Sequence, residues 1–145
     1  MRFLSQIRAT AAPDSMILIR ALVGCVFLSE GIQKFLFPAE IGAGRFAKIG
    51  LPSPDFLASL VGVFEIACGA LVLLGLFTRL AVIPLMIVMT VAIISTKIPI
   101  LLESGFWKMA HESRTDFAML LGAIFLLING AGGFSLDASM NRNES

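Results

Sequence analysis

Four long apolar segments follow one another along the chain, separated by short polar or glycine-rich stretches. Each is about 20 residues long, the length that a helix needs to cross the hydrocarbon core of a bilayer. The segments cover residues 16–37, 56–77, 79–100 and 116–136. They lack the in–out alternation of barrel strands, and isolated strands would leave backbone groups unpaired in lipid. The pattern therefore predicts an all-α fold, a four-helix transmembrane bundle.

The connections between the segments indicate the domain organisation and the topology. Residues 77–79 join the second and third segments almost directly, which predicts a tight helical hairpin. We expect one four-span domain over residues 16–138, between an N-terminal tail (1–15) and a C-terminal tail (139–145). In the first long connection, the glycine-rich stretch 42–50 predicts a loop that carries a short amphipathic helix. Four spans place both termini on one face, the tail face, and the two longer loops on the opposite face, the loop face.

Composition agrees with a chain that is surrounded mostly by lipid. Hydrophobic residues make up 57% of the sequence and charged residues 14%, with a mean hydropathy of +0.91. A soluble domain carries about 25% charged residues, because its surface must be wetted. The net charge of +1 gives no electrostatic basis for binding nucleic acid. Lysines and arginines divide between the two faces, but Arg2 and Arg8 in the N-terminal tail favour termini in the cytoplasm.

Ionisable residues inside the apolar segments are the main candidates for function. A charge at membrane depth is costly, and it persists when it is paired or faces protein or water. In the first segment, Lys34 falls about 40° from Arg20 on the helical wheel, and Glu30 falls about 80° from it on the same side. We therefore expect one polar face of this segment to point into the bundle. Glu30 and Lys34 also stand four residues apart, in the acid-first order that favours an ion pair.

Depth along the segments separates the charged candidates into two groups. The loop-side half of the bundle can collect Glu30, Lys34, Glu65, Lys97 and Asp116. Arg20 and Arg79 lie toward the tail face, where Asp14 or Asp137 can neutralise them. Two interpretations of these candidates stay open. They form either a structural ion network that fixes helix packing or a polar pocket for a ligand or for protons.

Residue types that hold metals and redox cofactors are sparse in this sequence. Cys25 and Cys68 form no CxxC pair and fall on different helix faces, which favours apolar packing over a redox pair. His111 with Glu112 and Asp116 makes a poor metal set, so no metal site is predicted. The glycine-rich stretch of the first loop fits neither a phosphate loop nor a dinucleotide motif.

An ordered set of short motifs runs through the chain. They are EGIQKF with Gly31 and Lys34, then Gly50-Leu51-Pro52, then FEIACGALVLLGLFTRLA with Glu65 and Arg79, and finally GAGGFSLD, which ends at Asp137. With these motifs the chain resembles the DoxX family of small four-helix bacterial membrane proteins, over residues 16–138. Two positions depart from the family pattern. Asp116 stands where many relatives carry glutamate, and Gly133 stands where arginine is common.

The resemblance implies a location in the bacterial inner membrane and a link to membrane redox chemistry. Some members of the family belong to a quinone-linked thiosulfate oxidoreductase or to an oxidative-stress complex. By this resemblance the chain is a subunit rather than an enzyme alone. It would bind a quinone-like molecule in the charged pocket and act with a protein partner or as a homo-oligomer. A shared fold does not carry a reaction with it, so two alternatives stay open: a non-catalytic scaffold or assembly partner, and a small carrier or proton path that uses the buried glutamates.

Overall fold

The computed structural model describes residue 6 and residues 12–143, which are helical apart from short turns. In chain order the helices are α1 (Met16–Leu36), α2 (Ala43–Lys48), α3 (Pro54–Leu74), α4 (Thr78–Ala92), α5 (Ile98–Ser104), α6 (Phe106–Glu112), α7 (Arg114–Asn129) and α8 (Leu136–Asn143). A π-helical turn, Ile93–Lys97, joins α4 to α5 without a break. No strand occurs among the described residues, so the all-α prediction is confirmed. Helix α2 also confirms the predicted short helix in the first long loop.

Three helical stretches are long and apolar enough to cross a membrane. They are Met16–Leu36, Pro54–Leu74 and the continuous stretch Thr78–Ser104. Large apolar side chains cover their outer faces, with Leu18, Val63 and Ile87 among the exposed ones. An apolar surface of this extent is unusual on a soluble monomer and is suited to lipid.

The four longest helices pack side by side around one apolar core. Helix α1 packs against α3, α3 against α4, α4 against α7, and α7 against α1. Fully buried side chains from all four fill the centre: Val23, Phe27, Val72, Leu85 and Leu126.

Glycines bring α1 and α3 unusually close together. A Cβ added to Gly31 would lie 2.8 Å from the main-chain oxygen of Gly62. One added to Gly69 would lie 2.8 Å from the main-chain nitrogen of Leu28. Small residues let membrane helices approach in this way. The contact fixes the short distance across which polar side chains of the two helices meet.

The structure shifts the second apolar segment to Pro54–Leu74, from the predicted 56–77. Proline is well suited to the first turn of a helix, where its missing N–H costs nothing. At the other end Gly75 adopts a φ of 66°, and the Leu76 N–H donates to the Leu71 carbonyl at 3.0 Å. This left-handed glycine closes the helix before the chain turns into α4.

The third segment is longer than predicted because it continues through the π-helical turn to Ser104. Pro99 lacks the N–H that would otherwise bond the carbonyl of Ser95. Three residues before Pro99, the hydroxyl of Thr96 donates to the Ala92 carbonyl at 2.6 Å. Such a local change of helical pitch re-aims the side chains that it carries, and Lys97 is one of them.

The fourth segment does not form one helix over the predicted residues 116–136. Helix α7 ends at Asn129 because Gly130 and Gly132 adopt φ values of 79° and 83°. With 16 residues, α7 is about 24 Å long at 1.5 Å per residue. Its length alone therefore does not identify it as a fourth membrane span.

Both predicted tails are only partly described. Helix α8 (Leu136–Asn143) extends into the predicted C-terminal tail (139–145). Most of the predicted N-terminal tail (1–15), including Arg2 and Arg8, lies outside the described residues.

Candidate functional site

An ion pair links α1 to α3 near the close contact of Gly31 with Gly62. The Nζ of Lys34 lies 2.7 Å from Oε2 of Glu65 and 3.9 Å from Oε2 of Glu30. The Glu65 side chain is only 2% exposed. Because Gly31 and Gly62 let the helices approach, a lysine of α1 reaches a carboxylate of α3 directly.

A second ion pair links the π-helical turn to α7. The Nζ of Lys97 lies 2.9 Å from Oδ2 of Asp116, and the Lys97 side chain is 10% exposed. The π-helical turn places this lysine toward the neighbouring helix, and Asp116 lies in the first turn of α7. The acid near a helix N-terminus is itself favoured by the helix dipole.

Both ion pairs line one cavity of about 500 Å³ in the loop-side half of the bundle. Most of its wall is apolar, with contributions from every long helix and from α2; among these are Val26, Phe46, Val61, Val88 and Met119. Deeper in the bundle, α1 and α7 meet, since a Cβ added to Gly122 would lie 2.7 Å from Cγ2 of Val23. A mostly apolar cavity with a few convergent polar groups is the usual form of a small-molecule site.

The five loop-side candidates therefore form two ion-paired groups rather than one continuous cluster. Glu30, Lys34 and Glu65 lie on the α1–α3 wall, and Lys97 and Asp116 lie on the α4–α7 wall. The cavity separates the groups. The structure thus brings these residues to one space, while their role as a ligand pocket stays a prediction.

The two arginine candidates lie elsewhere, on the tail side. Arg20 is 3% exposed, and main-chain carbonyls accept its hydrogen bonds. The acceptors are Val72 at 3.0 Å, Leu73 at 2.5 Å, Ala131 at 3.2 Å and Phe134. Val72 and Leu73 belong to the last turn of α3, where carbonyls lack helical partners and a cation is favoured. Arg20 therefore ties three parts of the chain together and does not line the cavity.

Asp137 lies near enough to Arg20 to stabilise its positive charge, as the sequence suggested, but its hydrogen bonds go to the main chain. Its carboxylate accepts hydrogen bonds from the main-chain N–H groups of Phe77 (2.9 Å) and Thr78 (3.2 Å), at the start of α4. Its own N–H donates to the Gly75 carbonyl at 2.9 Å. Arg79, the other candidate, donates to the Ile128 carbonyl at 2.9 Å. We call this set the tail-side clasp: Arg20, Gly75, Asp137 and their main-chain partners.

Sequence reasoning missed several polar residues that line the cavity. Arg45 of α2, Glu112 of α6 and Thr115 of α7 all contribute to its wall. Arg45 was recognisable only as part of an amphipathic loop helix. Nothing in the sequence indicated that this helix lies against the cavity.

The side chains that could ligate a metal lie in different parts of the described structure. Among the described residues no group of three or more histidine, cysteine, aspartate or glutamate side chains is placed to hold an ion. Cys25 is exposed and Cys68 buried, and both are free thiols. His111 contacts Arg114 on the surface at 2.8 Å.

Comparisons with known proteins identify relatives along nearly the whole chain. The sequence model of the DoxX family matches residues 15–98. An uncharacterized membrane protein of Mycobacterium tuberculosis is 55% identical over 139 residues, which covers 92% of this chain and 85% of that protein. A Bacillus subtilis protein named "Putative oxidoreductase CatD" is 31% identical over 121 residues, or 83% of each chain. An uncharacterized protein of Haemophilus influenzae is 32% identical over 128 residues, covering 86% of this chain and 90% of that protein. No solved structure matches the chain.

These matches agree with the fold. The family match includes α1, α3, α4 and the whole α1–α3 wall of the cavity. The mycobacterial relative is a membrane protein and extends the similarity over the α4–α7 wall as well. The resemblance drawn from the motifs is therefore confirmed, and the chain is a membrane protein that belongs to the DoxX family.

Proposed function

We propose that this chain is a subunit associated with membrane redox chemistry, and that its loop-side cavity binds a quinone-like molecule. The observation that carries the proposal is the cavity itself. It has a volume of about 500 Å³, a mostly apolar wall and a lysine–carboxylate pair on each of two sides. A relative named as an oxidoreductase supports the redox association.

The residues that line the cavity fit a flat, apolar ring with oxygens at its edge. Apolar side chains such as Val61 and Val88 would contact the ring and exclude water. The ammonium groups of Lys34 and Lys97 can donate hydrogen bonds to ring oxygens from two walls. Glu65 and Asp116 can hold a proton at a carboxyl oxygen. The bound molecule would supply the electron chemistry that these side chains lack.

The direct test is to extract and identify quinones from the purified protein. We expect protein isolated from native membranes in mild detergent to retain a quinone near one per chain, and Lys34→Met to lower that occupancy. Lys48→Met is the matched control, because Lys48 is exposed and lies outside the cavity wall. An empty wild-type protein, or equal quinone content in both variants, would contradict the proposal.

We also propose that the chain performs no redox turnover alone. Protein electron carriers recognisable from sequence use haem ligands, cluster cysteines or a dinucleotide loop. This sequence has one histidine and two cysteines. The expectation is tested by assaying electron transfer from a donor to a soluble quinone with and without co-purified subunits. Robust activity of the isolated chain would make it an enzyme in its own right.

One observation favours a second candidate, a proton path. Glu65 is nearly fully buried inside a helix that can cross the membrane, and Lys34 links it to a second carboxylate. Ion pairs of this kind occur in membrane proton relays. Proton flux into liposomes that Glu65→Gln abolishes and Glu103→Gln preserves would favour this candidate. A stoichiometric partner without any bound ligand would instead favour the scaffold.

The proposal includes a four-helix transmembrane bundle in the inner membrane, with α7 as the fourth span and both termini in the cytoplasm. Helix α7 packs against α1 and α4, two helices long enough to cross the membrane. Like the three longer spans, α7 carries exposed apolar side chains on its outer face. These are Phe117, Leu121, Phe125 and Ile128. Packing and surface together support a crossing that its length alone does not establish.

A further inference from the structure

Glu30 is the least enclosed member of the ion group on the α1–α3 wall. Its side chain lines the cavity and is 44% exposed, whereas Lys34 and Glu65 are 8% and 2% exposed. It lies six residues before the end of α1, about 9 Å along the helix axis. A carboxylate at this depth that faces an apolar cavity requires a proton donor in contact with it.

Lys34 does not fully meet that requirement. Its ammonium lies 2.7 Å from Glu65 but 3.9 Å from Glu30, which is beyond the length of a hydrogen bond. Among the described residues no other ion pair to Glu30 occurs.

Other cavity elements contribute charged groups as well. Lys97 is paired with Asp116 at 2.9 Å. Glu112 of α6 lies 3.7 Å from Lys108, also beyond the length of a hydrogen bond, but it is not on the α1–α3 wall. Arg45 approaches the cavity from α2 and is exposed. Oε2 of Glu65 also has no hydrogen-bond partner, but the Glu65 side chain is almost fully buried against Lys34. The Glu30 carboxylate is thus the more accessible acceptor on the α1–α3 wall for a ligand in the cavity.

We propose that the cavity prefers the reduced, hydroxyl-bearing form of its ring ligand, an aromatic dihydroxy compound whose O–H donates a hydrogen bond to Glu30. This inference rests on the proposed function and adds the redox form that is bound. A quinone carbonyl carries lone pairs and no proton, so it would present a second acceptor to the carboxylate. A hydroquinone hydroxyl presents a donor, and hydrogen bonds to charged acceptors are among the strong ones.

The preference has a measurable size. A hydrogen bond to a charged group raises affinity by about tenfold or more, so the hydroquinone should bind that much more tightly than the quinone. Reduction adds two electrons and two protons to each quinone, with the electrons supplied by the redox partner proposed above. Because the couple transfers two electrons, tenfold tighter binding of the reduced form raises the midpoint potential of the bound pair by about 30 mV.

The test is a binding comparison that needs no turnover. Purified protein in lipid nanodiscs is titrated, without oxygen, with naphthohydroquinone, with its oxidised naphthoquinone and with the dimethyl ether of the hydroquinone. We expect the hydroquinone to bind about tenfold more tightly than either of the other two. Glu30→Leu should remove the difference, and Glu30→Gln, which keeps a neutral acceptor, should leave part of it. Glu40→Leu is the matched control, because Glu40 is exposed and lies outside the cavity wall.

The outcomes separate this inference from the proposed function. Equal affinity of wild-type protein for the three compounds would overturn the inference and leave the binding proposal standing. A preference that survives in Glu30→Leu would also overturn it, since another group would then be the acceptor. Failure of all three compounds to bind would overturn the proposed function and the inference together.

Discussion

Lys34 is the residue on which the α1–α3 wall of the cavity depends most directly. Its ammonium is 2.7 Å from a carboxylate that is 2% exposed. Breaking a buried pair by removing one partner is strongly destabilising, because it leaves an uncompensated charge behind. The sequence placed Lys34 on the inward polar face of the first segment and grouped it with Glu65 in the loop-side half, and both placements follow from counting residues along a helix.

We expect Lys34→Met to lower the free energy of unfolding by about 3 kcal/mol. Adding Glu65→Gln should recover more than half of the loss, because the buried carboxylate is then neutral. The measurement is reversible unfolding in mixed micelles, with the exposed Lys48→Met expected to stay within about 0.5 kcal/mol of wild type. Losses that simply add in the double variant would show that the two residues do not interact.

Arg20 acts through main-chain carbonyls that no sequence pattern reveals. Its guanidinium reaches the end of α3 and the turn before α8 at once. Lysine keeps the charge but cannot bond several acceptors in a fixed fork.

We expect Arg20→Lys to destabilise the protein by about 2 kcal/mol. Thermal unfolding in detergent would measure the loss, and Arg114→Lys, at an exposed arginine, is the control. If Arg20→Lys melted at the same temperature as wild type, this role of Arg20 would be contradicted.

At the scale of the helices, Gly75 sets how α3 ends. A Cβ there would lie 2.5 Å from Cβ of Ser135 and 2.7 Å from Cζ of Arg20, in a residue with a φ of 66°. Gly50 has a similar φ of 76°, but an added Cβ would meet nothing within 4 Å. The two glycines therefore separate backbone strain from steric overlap.

We expect Gly50→Ala to cost about 1 kcal/mol, the strain of a left-handed conformation alone. Gly75→Ala should cost clearly more, because it must also displace Arg20 and Ser135. Chemical unfolding of both variants in the same detergent would compare them. Equal losses would mean that the tail-side clasp tolerates the added methyl group.

The helices themselves were largely predictable, whereas some of their ends were not. Hydropathy places the spans because lipid requires long apolar runs. It missed the end of α7 because apolar residues such as Ala131 and Phe134 continue past Asn129. The break there lies in the backbone angles of Gly130 and Gly132. The sequence also suggested one charge cluster instead of two groups. Counting residues gives the depth of a side chain, but it does not tell which wall of a cavity the side chain occupies.

For the whole molecule, the number of crossings is the property that most needs a direct test. We expect cysteines placed at Ser53 and Ser104 to be labelled from one side of the membrane, and one at Ser139 from the other. The background is the double variant Cys25→Ala and Cys68→Ala, labelled with a membrane-impermeant maleimide in spheroplasts and in inverted vesicles. If the cysteines at positions 104 and 139 were labelled from the same side, α7 would not cross the membrane.

The unequal lengths of the helices have a consequence for the surrounding lipid. The stretch Thr78–Ser104 has 27 residues and α7 has 16, or about 40 Å and 24 Å of helix. A hydrocarbon core of about 30 Å can match both only if the longer stretch tilts and the bilayer becomes thinner around α7. If α7 crosses as proposed, the bilayer is compressed along one flank of the protein. Two copies that meet along their α7 flanks would shorten the perimeter of compressed lipid, so membrane thickness itself would favour their association.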